Sequence, residues 1–345
     1  MIRVLVLFFG CTIAALSTAA EYLNLYTWDD YIDPVVLERF EQRYDVSVVI
    51  TTYADDLERD QQVASSGGEG LDIILLDDSS LNSYIRNGWI TRRVTKNIPN
   101  NRYINWQTVR LSELEKQYAQ PYAEGSYGLA YRSELIEESV DSWAALYNPP
   151  KEFRGKIGLA GQPTELLPTV LLYLGYDLWN PTSWQLTEAE RLLMKLRPDV
   201  TLFSSSTQDL DAGFRQGTLA IAPTYSTDFV LLQQESPDLR YVIPKEGGFY
   251  WLDSLVIAAA SHSKDRAHQF LNFLLEPEIA ARQMMYNNSL ISHPEAIKQL
   301  PEEVRQQLEK FRTQARDQYR FKDSGIWSLR QMMSTWYSLD PEGKY

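Results

Sequence analysis

Three short clusters set flat aromatic rings beside carboxylates and hydroxyls: Trp28-Asp29-Asp30-Tyr31, Thr52-Tyr53 and Asp77-Asp78-Ser79-Ser80. Ring faces attract cations through their quadrupole, and carboxylates pair with ammonium or guanidinium groups. A site built from both suits an organic cation. The same residue types also serve as helix caps and turns, where Asp and Ser are favoured for backbone reasons alone. What lifts these clusters above that reading is their order along the chain.

Each cluster follows a segment that reads as a β-strand. Glu21–Trp28 alternates, with Leu23 and Leu25 in phase, and Val46–Tyr53 is rich in β-branched residues. Leu71–Leu76 is an apolar run. Between them, Asp33-Pro34 opens a helix with Leu37, Phe40 and Tyr44 at helical spacing, and Asp55–Ala64 is a second, polar helix. Strand–helix–strand–helix–strand predicts an α/β domain with a parallel sheet, and ligands bind at the carboxyl ends of such strands. The middle of the chain repeats the logic. Lys156–Ala160 is a strand ending at Gly161-Gln162-Pro163-Thr164-Glu165, with the helix Leu166–Tyr176 behind it. Thr218–Ala222 ends at Pro223-Thr224-Tyr225-Ser226, and an aromatic stretch through Trp251 and Asp253 leads into the apolar run Leu255–Ala260. Ala267–Leu275 reads as an amphipathic helix and Pro301–Arg316 as a charged surface helix.

Met1–Ala20 has one early charge, Arg3, then an apolar run from Val4 to Leu16 and the small residues Ser17 to Ala20. That pattern predicts a secretory signal peptide cleaved before Glu21, since the run is shorter than the roughly 20 residues a membrane span needs. The only cysteine, Cys11, lies inside it, so disulfide and thiol chemistry are excluded from the mature chain. A remainder of about 325 residues predicts two domains. The formal net charge of −13 makes nucleic acid a poor partner and would steer a cation inward. Aromatics are abundant, with 21 Tyr, 12 Phe and 9 Trp.

Enzymatic constellations are missing from the sequence. Gly67-Gly68-Glu69-Gly70 lacks the spacing of a phosphate or dinucleotide loop, and there is no nucleophile elbow. His262, His268 and His293 form no metal motif. Carboxylates are plentiful, so a glycosidase-like pair stays open, but nothing singles one out, and the expectation is no enzymatic activity and no cofactor.

The chain resembles the bacterial periplasmic spermidine/putrescine-binding proteins. The resemblance is carried by Tyr26-Thr27-Trp28-Asp29-Asp30-Tyr31, Leu71-Asp72-Ile73, Pro121-Tyr122, Ser142-Trp143, Phe153-Arg154-Gly155-Lys156 and Leu174-Gly175-Tyr176. Its strongest block runs from Pro244-Lys245-Glu246-Gly247-Gly248 through Trp251-Leu252-Asp253-Ser254-Leu255, and Asn272-Phe273-Leu274-Leu275 closes it. It implies an α/β, bilobed periplasmic-binding-protein fold of type II, in which two discontinuous α/β domains enclose a ligand cleft. Lobe one would take residues 21–128 and 253–293, and lobe two residues 129–252 and 294–345, hinged near Gly128 and Trp251–Asp253. It also implies that Trp28 and Tyr31 line the cleft, that Trp251 stacks on an alkyl chain, that Asp253 pairs with an ammonium, and that Glu165 is an acid of the second lobe. Asp29, Asp77, Asp78 and Tyr225 complete the candidate ligand-binding set.

Departures from the family pattern bear on the ligand. Gln162 stands in place of a second acid, Asp77-Asp78-Ser79 replaces a serine and an aromatic, and Pro223 and Tyr225 stand where a tryptophan is usual. Asn288–Ile291 lacks a tyrosine, and Glu124 replaces an aromatic. The implied function is capture of a polyamine of the spermidine, putrescine or norspermidine class in the periplasm by a monomer that delivers it to an inner-membrane permease of the ABC type. Two alternatives stay open. One is a non-transporting sensor, as in a norspermidine-sensing relative, docked on a membrane signalling receptor that controls biofilm behaviour. The other is a binding protein for a different organic cation.

Overall fold

The computed structural model describes residues 21–160, 163–178, 180–204, 207–315 and 318–320, with Ser334. The expected signal peptide with Cys11, the departure at Gln162 and the tail beyond Arg320 lie outside the described residues, save Ser334. In chain order the elements are β1 (Glu21–Thr27), α1 (Pro34–Tyr44), β2 (Val46–Thr52), α2 (Asp56–Ser66), β3 (Ile73–Asp77), α3 (Leu81–Asn87) and β4 (Ile90–Thr91). The long strand β5 (Gln120–Arg132) leads to α4 (Ala144–Tyr147), β6 (Ile157–Ala160), α5 (Pro163–Leu174), α6 (Ser183–Leu196), β7 (Val200–Ser204) and α7 (Thr207–Arg215). Then come β8 (Ile221–Tyr225), α8 (Ser226–Glu235), β9 (Leu239–Val242), β10 (Phe249–Ala258), α9 (Lys264–Leu274), α10 (Pro277–Tyr286), α11 (Pro294–Ile297), α12 (Glu302–Ala315) and β11 (Tyr319–Arg320).

The first five elements follow the expected pattern for local reasons. Asp33 caps α1 by accepting from the Val35 amide at 2.8 Å, and Asp55 caps α2 by accepting from the Glu58 amide at 2.8 Å. Gly67, at φ 65°, ends α2 in the left-handed conformation that glycine adopts without strain. β1 lies between β2 and β3, parallel to both. That brings Trp28, Tyr53 and Asp77 to one edge, as the strand order required.

The sheet does not stop there. Its order is β2-β1-β3-β10-β5-β8-β6-β7, with β4 and β11 on β10 and β9 on β5. β10 runs antiparallel to both β3 and β5, so the sheet is mixed rather than purely parallel. β5 is shared between the two halves: Gln120–Ala123 pairs with the second half of β10, while Tyr127–Arg132 pairs with β8 and β9. Two boundaries differ from the sequence expectation. Every residue of β10 is buried, polar ones included, so the strand begins at Phe249 although the uninterrupted apolar run starts only at Leu255. β8 begins at Ile221 and carries Thr224 and Tyr225 inside the strand rather than after it.

The apolar interior divides into two clusters. The larger gathers Leu25, Phe40, Ile73, Phe270 and Phe273 and continues to Phe229 and Phe311; the smaller gathers Trp143, Phe153, Leu171, Leu193 and Ile221. The charged helix α12 is anchored by one apolar face, with the Phe311 ring 5.9 Å from Phe229 and 5.2 Å from Tyr241.

Candidate functional site

The carboxylate of Asp253 marks the middle of the candidate site. It lies on β10 opposite Asp77 of β3 and Ala123 of β5. The register between β10 and β5 slips at Asp253/Ser254, where Ala123 faces Asp253 but Pro121 faces Ser254. Such a bulge re-aims side chains. Tyr122 is the extra residue, and its hydroxyl donates to the Tyr31 carbonyl at 2.8 Å. Tyr31 in turn donates its hydroxyl to Asp253 Oδ2 at 2.6 Å. Asp253 is 9% exposed, and that hydroxyl is its described partner. Burial pushes its carboxyl up to about 8; the Tyr31 hydrogen bond opposes this, and the charges of Asp77, Asp56 and Asp78 add to it.

Two groups of aromatic rings sit on the strand ends around this acid. Trp28 lies against Tyr53 with ring centres 4.4 Å apart. Across the sheet, the buried Trp251 meets Tyr225 edge-on at 6.0 Å, and Tyr225 lies 4.8 Å from Tyr127. Trp251 covers Gly125 so closely that a Cβ there would come within 2.5 Å of its ring. The indole nitrogen donates to the Ser126 carbonyl at 3.3 Å, which fixes the ring plane. Tyr225 donates its hydroxyl to Glu165, in the first turn of α5.

The neighbouring acids are already engaged. Arg59, with no exposed surface, forms ion pairs with Asp56 at 2.7 Å, Asp60 at 2.9 Å and Asp77 at 3.1 Å. Burial alone would raise the Asp77 carboxyl, but Arg59, Ser79 and Ser80 outweigh it and hold the group below the usual carboxylate range. Asp78 is buried against Arg320, whose guanidinium donates to it from β11. Asp56 keeps 44% of its side chain in solvent, which screens the burial that pushes its carboxyl up.

A family model for bacterial extracellular solute-binding proteins matches residues 36–310. This chain belongs to that family. The putrescine-binding periplasmic protein SpuD of Pseudomonas aeruginosa is 30% identical to it over 290 residues, 78% of each chain. The spermidine/putrescine-binding periplasmic protein of Salmonella typhimurium is 26% identical over 275 residues, 77% of this chain and 76% of that one. A solved structure from Listeria monocytogenes, described as a spermidine/putrescine ABC transporter, superposes with a TM-score of 0.84 at 25% identity, covering 93% of this chain and 99% of that one. The solute-binding protein therefore has the bilobed periplasmic-binding-protein fold that the sequence resemblance implied, and it is a periplasmic protein as these curated relatives are. No helix among the described residues is long and apolar enough to cross a membrane.

In this solute-binding protein Tyr31 meets Asp253 directly, Trp251 precedes Asp253 by two residues on β10 and meets Tyr225, Tyr225 donates to Glu165, and Trp28 packs on Tyr53. Asp29 is exposed, and no described contact joins it to Asp253. Asp77 and Asp78 reach the same strand end but are each committed to an arginine. Glu124 faces the other way: it accepts from the Tyr250 hydroxyl at 2.6 Å, on the strand face opposite Trp251. The added acid at that position therefore adds no charge beside Asp253. Sequence reasoning missed Arg59 and Asp56. The available signal was a single arginine among Asp55, Asp56, Glu58 and Asp60, on the helix that follows Tyr53.

Proposed function

We propose that the protein captures a polyamine cation between its lobes and hands it to an ATP-driven importer. The lobes would be residues 21–128 with 253–293 and residues 129–252 with 294–345, closing about β5 and β10. The observation that carries this reading is Asp253: a carboxylate 9% exposed, held by a tyrosine hydroxyl and flanked by ring faces. A buried carboxylate of that kind is stabilised by an arriving cation, and an alkyl amine supplies one together with methylenes for the rings. Asp253 takes one ammonium. Glu165, from the opposite lobe, takes the far one, so the ligand bridges both lobes and favours closure. Trp28, Tyr31, Trp251 and Tyr225 wall the alkyl chain, and Asp29 stands at the rim. Asp77 and Asp78 shape the floor through their arginines instead of meeting the ligand. The names of the relatives, putrescine-binding and spermidine/putrescine-binding, support the ligand class, and the ABC transporter structure favours delivery over a sensor role. A ligand-binding role on this fold carries no turnover.

Calorimetric titration of protein refolded to strip bound ligand tests the reading. Diamines and triamines of graded length are compared with diols and amino acids of matched length. One-to-one binding of an amine, with no binding of its diol, is the expected result. Equal affinity for the diol, or no heat with any amine, overturns it.

A further inference from the structure

Arg59 is ion-paired to Asp77, the strand partner of Asp253, and its surroundings are those a ligand ammonium would seek. Three carboxylates meet its guanidinium at 2.7, 2.9 and 3.1 Å, Ser80 Oγ accepts from it at 2.7 Å, and its central carbon lies 5.5 Å from the Tyr53 ring centre and 5.7 Å from that of Tyr84. The compartment adjoins the candidate site directly. Asp77 is the register partner of Asp253, and Tyr53 carries Trp28. We infer that Arg59 is a resident cation filling a position an additional ammonium would otherwise occupy, so that it sets how many charged centres the ligand has. Like charges at contact distance repel strongly where water is excluded. A guanidinium anchored by three acids cannot step aside as a free ion would. The cleft therefore favours amines with fewer charges than its carboxylates would admit. This inference rests on the reading of the cleft as an amine site.

The test compares Arg59→Gln, Arg59→Lys and Asp56→Asn with the wild type, titrating each with 1,4-diaminobutane, a triamine and a tetramine. Arg59→Gln leaves the carboxylates and ring faces without their cation, and it should shift preference toward the triamine or tetramine by tenfold or more. Arg59→Lys keeps the charge and should keep the wild-type order. Should Arg59→Gln fail to fold, Asp56→Asn decides. Its charge is spent on Arg59, so amine affinity should change less than threefold, whereas Asp253→Asn should lose a hundredfold or more. A folded Arg59→Gln with unchanged preference, or an Asp56→Asn as weak as Asp253→Asn, overturns the role of Arg59 alone. If the wild type binds none of the amines, the amine reading falls and the role of Arg59 falls with it.

Discussion

Asp77 and Asp253 are the same residue type, paired across two neighbouring strands, yet their surroundings give them opposite chemistry. Asp77 meets Arg59 and the Ser79 amide, and its carboxyl is held low. Asp253 meets only a tyrosine hydroxyl among its described hydrogen-bond partners, and its carboxyl is pushed up to about 8. The first acid is paired with an arginine, whereas among the described residues the second meets a hydroxyl and no cationic side chain. A carboxylate at a strand end is open to a ligand cation only where no cationic side chain has claimed it first, which is the role proposed for Asp253.

Exchanging each acid for its amide should split the two functions, and this is the largest effect expected. Asp253→Asn should lose about 3 kcal/mol or more of amine affinity, the scale for removing one partner of a buried charged pair. Its melting temperature in the absence of ligand should hardly move, because the group is already largely protonated near neutral pH. Asp77→Asn should do the reverse. It strips a partner from a fully buried guanidinium, and about 2 to 4 kcal/mol of stability should go, tempered by Asp56 and Asp60. Amine affinity should change far less. Denaturant titration and calorimetry on both variants read the two axes, and a loss of affinity at Asp77 equal to that at Asp253 would erase the distinction.

The distinction also explains what the sequence could and could not show. The strand-end clusters and the α1 cap at Asp33 were readable because they depend on local spacing. The commitments of Asp77 and Asp78 were not, because their partners come from α2 and, for Asp78, from β11, 242 residues further on. Glu124 failed for a different reason. A one-residue difference in strand phase sends a side chain to the opposite face, and a strand buried on both faces shows no alternation that would reveal the phase. β10 hid its start for the same reason, since its polar residues Asp253 and Ser254 interrupt the apolar run.

The proton on Asp253 gives the comparison a pH axis of intermediate size. With a folded pKa of about 8 against an ordinary carboxylate value near 4, the empty folded protein holds a proton that the unfolded chain has released throughout that window. Stability of the empty protein should therefore fall as pH rises from about 4 to about 8, and this group adds nothing to that trend above it. A cation binds the ionised form, so amine affinity should rise over pH 6 to 8 by up to about 1.4 kcal/mol per unit. Calorimetry at pH 7 in buffers of different ionisation enthalpy should find close to one proton released per ligand. Asp253→Asn should abolish that release and Asp77→Asn should leave it, since Asp77 is ionised from the outset.

Tyr31→Phe should give the smallest effect and the sharpest attribution. The hydroxyl is buried, and burial with the adjacent Asp253 charge raises it well above the ordinary tyrosine range, so it remains a donor across the accessible pH scale. Its hydrogen bond favours the ionised form of Asp253. Removing it should raise that acid further and cost about 1 kcal/mol of amine affinity at pH 7. The ring stays, so any stacking on the ligand survives the change. If the hydroxyl works through Asp253, its removal should cost nothing more in an Asp253→Asn background, and the two losses should couple by their full smaller value. If the losses instead add, the hydroxyl meets the ligand itself, and the cleft then offers the ammonium two independent acceptors where the contrast with Asp77 calls for one.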